Sequence, residues 1–131
     1  MEERFEDLSI YTYKYIKDLA KSYKITNFKK KFFFKKELAY INNTVIIRKR
    51  KNVVNLNIND IRFYTVFRMG QYEHMYAIIL VLEHSYIYFD YSSCVEYNYL
   101  MLNLYKNNVE FKNHWNVESY IKHSNLKKYC F

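Results

Sequence analysis

Residues 44–60 read TVIIRKRKNVVNLNIND, and within them Val54, Leu56 and Ile58 alternate strictly with Asn55, Asn57 and Asn59. Successive side chains of a strand point to opposite faces, so a period of two predicts a strand with one apolar and one wet side. The preceding run, Thr44 to Arg50, reads as a second strand, and Lys51 with Asn52 supplies the turn between them. The two make a hairpin whose tip carries Arg48, Lys49, Arg50 and Lys51.

Toward the C-terminus the same grammar continues. Asn59 and Asp60 signal a turn, followed by IRFYTVFR (61–68), a short segment with the chain's single Gly, HMYAIILVLE (74–83), a turn at His84 and Ser85, and YIYFDY (86–91). The run from Met75 to Leu82 is nearly all apolar, as expected of a central strand covered on both faces. Short turns join antiparallel neighbours, which predicts an antiparallel β-meander of about five strands. Beyond it, Ser93 and Glu96 have capping-box spacing and open a helix from Cys94 to about Lys106, with Val95, Tyr99, Leu102 and Tyr105 along one side. After a break at Asn107 and Asn108, Trp115 and Tyr120 flank Asn116 at the spacing of a hydrophobic staple, starting a short final helix.

Toward the N-terminus, Phe5, Leu8, Ile16, Leu19 and Tyr23 fall at helical spacing. Glu2, Glu3, Glu6 and Asp7 precede Lys14, Lys17, Lys21 and Lys24, an order that complements the helix dipole. Residues 28–41, FKKKFFFKKELAYI, fit neither period, so helix and strand both stay open there. The expected fold is α+β: an N-terminal helix, the meander and C-terminal helices, in one compact domain over residues 1–131 with no internal repeat or linker.

Composition excludes several functions. With one Gly and no Pro among 131 residues, no glycine-rich phosphate cradle can be built. Cys94 and Cys130 lie far apart, and His74, His84, His114 and His123 show no pair at ligand spacing, so neither a metal site nor a cofactor is expected and the thiols read as buried. The acidic, amphipathic start lacks the features of a secretory or mitochondrial leader, and Met75–Leu82 is too short to span a bilayer. A soluble protein of a reducing compartment follows as the expectation: cytoplasmic, with the nucleus as alternative, and no membrane partner.

The formal charge of +8 is not spread along the chain. Between Phe28 and Lys51 stand nine cations (Lys29, Lys30, Lys31, Lys35, Lys36, Arg48, Lys49, Arg50, Lys51) and one anion, Glu37, while the rest of the chain carries twelve of each sign. A block of this kind attracts polyanions by counterion release. Phe33 and Phe34, set between the lysine clusters, have the character of rings on which bases stack while cations hold phosphates. The sequence therefore points to a small non-enzymatic protein that binds RNA or an RNA-containing assembly such as a ribosome through residues 28–51. The alternative is a viral or parasite protein-interaction module whose partner meets an aromatic surface, since Tyr-rich stretches such as YIYFDY bury area and keep a polar handle.

One constellation carries a different reading. In a hairpin turning at His84 and Ser85, His74 and Asp90 lie near the same sheet end, where a carboxylate orients an imidazole. The segment HMYAIILVLEHSYIYFDYSS (74–93) resembles the His-strand-strand-Asp portion of adenoviral and ubiquitin-like-protein-processing cysteine proteases, and HSNLKKYCF (123–131) is similar to their nucleophile segment. The resemblance implies a site of His74, Asp90 and Cys130. Met75 stands where that family has Trp and no Gly follows the cysteine, so it implies a catalytically dead papain-like relative.

Overall fold

The computed structural model describes residues 9–31, 35–68, 75–92 and 95–131, with side chains described at 13–31, 35–66, 77–89 and 98–131. Among the described residues three helices, α1 (Ser9–Ala20), α2 (Val95–Lys106) and α3 (His114–Lys122), accompany nine strands: β1 (Phe28–Lys31), β2 (Lys36–Ile41), β3 (Thr44–Lys49), β4 (Asn52–Asn57), β5 (Phe63–Arg68), β6 (Met75–Val81), β7 (Ser85–Ser92), β8 (Glu110–Phe111) and β9 (Lys127–Cys130). The α+β class and the N-terminal helix agree with the sequence reading. The five strands read from sequence are β3 to β7, and they divide between two sheets.

The first sheet is the antiparallel meander β1-β2-β3-β4, and the second has the order β8-β5-β6-β7-β9. In the second sheet β5, β6 and β7 are antiparallel, while β8 and β9 add parallel edges to β5 and β7. The chain leaves the first sheet at a single 3₁₀ turn, Ile58–Asp60, where the Asn57 side chain accepts a hydrogen bond from Asn59 N at 2.9 Å. That turn is where the sequence placed one.

Within residues 28–41, Phe28–Lys31 and Lys36–Ile41 form the antiparallel strands β1 and β2. Their period is obscured because β1 is an edge with only Phe28 half-buried, whereas Glu37, Leu38, Ala39 and Tyr40 of β2 are buried in succession. Asn42 and Asn43 both take positive φ, 50° and 65°, in the two-residue link to β3. Asparagine tolerates this left-handed backbone, and paired positive φ matches the twist of the flanking strands. The next link is also two residues, but it is Arg50 and Lys51, with Lys49 opposite Asn52, one position earlier than the sequence suggested.

One main core unites both sheets. Leu38, Tyr40, Val45, Ile47 and Leu56 of the first meet Tyr64, Val66, Ile78, Leu80, Ile87 and Phe89 of the second, together with Ile16 and Ala20 of α1 and Leu100, Met101, Leu102 and Leu104 of α2. The second sheet is covered on its other face as well: Phe63, Ile79 and Val81 pack on Val117 of α3. Strand β6 is thus central and buried on both faces, as its unbroken apolar run predicts.

The helices correct some details. Leu19, placed on the apolar face of α1, is exposed, and Ile16 with Ala20 carries the contact instead. On α2 the buried stretch is Leu100–Leu104, while Tyr99 is exposed and Tyr105 is half-buried. The helix ends as a Schellman motif: Asn108 has φ 60°, and Asn108 N and Val109 N donate to Tyr105 O and Leu104 O at 3.0 Å each. The capping box at Ser93 and Glu96 falls outside the described residues and side chains. The cap of α3 is Asn113, which accepts from Asn116 N at 2.8 Å, so Asn116 is the third residue of the helix and no staple forms about it. Trp115 is exposed, and Tyr120 turns inward to meet Phe63 edge-on at 5.0 Å.

Two side-chain amides, one of them fully buried, tie the helical layer to the first sheet. Asn103, fully buried on α2, accepts from Tyr23 Oη at 3.1 Å and Thr26 N at 3.2 Å and donates to Thr26 O at 3.1 Å. One turn later Asn107 donates to Tyr40 Oη at 3.1 Å. These bonds fix the entry into β1, the strand that begins the basic block.

Candidate nucleic-acid interface

Pairing in the first sheet brings together the two basic clusters that sequence separates by a dozen residues. Lys36 lies opposite Lys49 and Glu37 opposite Arg48, while Lys31 faces Glu37 from β1. Beyond the strands, Arg50 N donates to Lys35 O at 3.2 Å, so the β1–β2 and β3–β4 links meet at one end of the sheet. Both residues hold positive φ, 57° at Lys35 and 56° at Arg50, which turns the chain back within a short span. Four strands spaced about 4.8 Å apart make this end about 14 Å wide, so its charges act within roughly two Debye lengths of one another at physiological salt.

The register also sorts the cations by face. Cross-strand partners share a face, so Lys29, Lys31 and Arg48 lie with Glu37 on the side of the sheet away from the main core. Lys30, Lys36 and Lys49 share the face of Leu38 and Ile47, at its open end, and Lys36 Nζ stands 5.6 Å from the centre of the Phe89 ring. Lys35, Arg50 and Lys51 occupy the links themselves and, with Asn52, line a shallow open concavity. The nine cations therefore wrap one sheet end and extend over both of its faces.

Glu37, the single anion of the block, is 5% exposed and pairs with Lys29 Nζ at 3.7 Å. In the sequence it is one negative charge against nine positive. In the fold it is buried, with Lys29 as its ion-pair partner and Lys31 and Arg48 as its cross-strand neighbours, which leaves the exposed surface of this sheet end cationic. Its apolar neighbours in sequence, Leu38, Ala39 and Tyr40, are the signal that marks it as buried.

The remaining candidates are distributed as follows. Phe33 and Phe34 lie outside the described residues, as does His74, and the Asp90 side chain is likewise undescribed. Phe28, at the start of the block, packs toward the main core and Tyr99, 5.9 Å between ring centres. Cys130 is exposed on edge strand β9, opposite Tyr88 in the register and thus two residues along from Asp90 of β7. This overturns the expectation of a buried thiol there and sets the sulfur on a strand, not at a helix N-terminus where a thiolate is stabilised. Among the described residues no group of His, Cys, Asp and Glu is arranged to hold a metal ion, and no helix is long and apolar enough to cross a membrane. No protein-family model matches the chain, and neither a curated protein nor a solved structure does.

Proposed function

We propose that the protein is a non-enzymatic factor that binds single-stranded RNA, or an RNA-containing assembly such as a ribosome, through the cationic end of its first sheet. The observation that carries this reading is the cross-strand convergence of Lys29, Lys30, Lys31, Lys35 and Lys36 with Arg48, Lys49, Arg50 and Lys51, while Glu37, the one anion of the block, is buried. Lys35, Arg50 and Lys51, exposed in the two links, contact phosphates first, and Lys29, Lys31 and Arg48 extend the track over the outer face. Phosphate contacts of this kind give affinity and position without reading sequence, so binding is broad in sequence and steep in salt.

The test replaces Lys35, Arg50 and Lys51 together with Glu. Arg48 is spared because a glutamate there would sit directly opposite Glu37 and confuse binding with folding. Anisotropy of a labelled single-stranded RNA, titrated at several salt concentrations, reads the outcome. Loss of three phosphate contacts lowers the slope of log affinity against log salt by about 2. A variant that retains its circular dichroism spectrum and binds RNA with unchanged affinity and slope overturns the proposal.

A further inference from the structure

Among the described residues, β4 has β3 on one side and no strand on the other. Exposed sheet edges invite pairing, and natural proteins blunt them with lysine or by keeping them short. Two other outer strands follow that rule, β1 reading FKKK and β9 reading KKYC, while two-residue β8 pairs with Phe63 and Tyr64 of β5 and leaves residues 65–68 of that strand with no strand beside them on that side among the described residues. Strand β4, NVVNLN, is six residues long, uncharged and largely exposed. Among the described outer strands it is the long one without a charge.

The two-residue link Arg50–Lys51 makes Lys49 and Asn52 a hydrogen-bonded pair, and such pairs alternate along an antiparallel ladder. Asn52, Val54 and Leu56 therefore bond to β3, while Val53, Asn55 and Asn57 turn their N–H and C=O groups outward. Those three residues are evenly spaced about Asn55. We propose that β4 is a self-pairing edge, and that two copies of this chain join antiparallel through it about a two-fold axis at Asn55, extending the first sheet from one molecule into the next.

In this register Asn55 meets its own copy and Val53 meets Asn57 of the second molecule, whose C=O, the N-cap acceptor of the 3₁₀ turn, offers its second lone pair. A shift of one residue sets side chains of opposite faces against each other, and a shift of two leaves outward groups without partners. Side chains agree with the backbone: on the core face Val54, half-buried, lies opposite Leu56 of the second copy, so two apolar pairs close over the junction. Since β4 runs antiparallel to its copy, the two cationic sheet ends point in opposite directions. Each chain still carries +8, so the copies repel and salt strengthens their association, the reverse of its effect on phosphate binding.

Sedimentation of the full chain over rising concentration, at low and high salt, tests the proposal. The mass should rise toward twice 16.3 kDa, earlier at high salt, and the amides of Val53, Asn55 and Asn57 should gain hydrogen-exchange protection over the same range. Asn55→Lys places two ammonium groups at the axis, and Asn55→Pro removes an outward donor without touching a bond to β3; both should remain monomeric with the wild-type circular dichroism spectrum. Should the proline variant fail to fold, the lysine variant alone decides. A wild-type chain that stays monomeric across the range, or an Asn55→Lys variant that still doubles in mass, overturns the proposal.

Discussion

Replacing Asn103 with Ala tests how the basic block is anchored. The side chain is fully buried and makes three hydrogen bonds, from Tyr23 Oη and Thr26 N to Oδ1 and from Nδ2 to Thr26 O, at 3.1 to 3.2 Å. Each bond contributes about 1 kcal/mol net, and Thr26 is exposed enough for water to replace part of what its backbone loses. The expected loss is about 2–3 kcal/mol, since truncation also leaves a small buried void. At roughly 3–5 °C per kcal/mol for a domain of this size, the melting temperature should fall by about 6–15 °C. Thermal denaturation by circular dichroism measures the shift, and urea unfolding gives the free energy directly. Asn103→Asp is the informative companion: it keeps an acceptor for Thr26 N but sets a second oxygen against Thr26 O and buries a charge, so it should cost more than alanine at neutral pH. A loss below about 1 kcal/mol for Asn103→Ala would refute the assignment of these bonds as the anchor of the entry to β1.

Tyr64→Phe should leave stability unchanged or raise it by about 1 kcal/mol, because the Tyr64 hydroxyl is buried with no hydrogen-bond partner among the described residues and its removal ends a desolvation cost. Burial, and then the neighbouring Tyr13 and Tyr105, hold the Tyr64 phenol well above the ordinary tyrosine range. The fold therefore keeps its full stability with respect to this group below the unfolded-state pKa of about 10 and loses stability as pH rises above it, since the unfolded chain releases a proton that the native state retains. Urea midpoints measured between neutral pH and about pH 11 should fall less steeply in Tyr64→Phe than in the wild type. Val117→Ala should cost roughly 2 kcal/mol in the same urea assay, because this fully buried residue anchors α3 on Phe63, Ile79 and Val81.

Legibility in the sequence followed the pattern of burial. Strand β4 was readable because one of its faces meets the core and the other meets water, so alternation survives in the residue string. Strand β6 was readable for the opposite reason: α3 covers the face that the main core leaves open, and the run is apolar throughout. The stretch 28–41 was not, because an edge strand of lysines and a strand buried residue after residue blur any single period. The cap of α3 escaped for a local reason, since Asn113 and Asn116 are both competent caps and only the backbone chooses between them.

The sequence by itself determined the α+β class, the central strand, the breaks at Asn59–Asp60 and Asn107–Asn108, and the confinement of the charge excess to residues 28–51. All of these rest on near neighbours along the chain, where periodicity and turn chemistry act. Only the tertiary structure decided that the strands divide between two sheets, that Lys36 lies against Lys49 and Lys35 against Arg50, that Glu37 is buried, and that β4 is left as an open edge. Each of these is a matter of register between segments distant in sequence. Register is set by which faces find the core together, and no single stretch of residues contains that information.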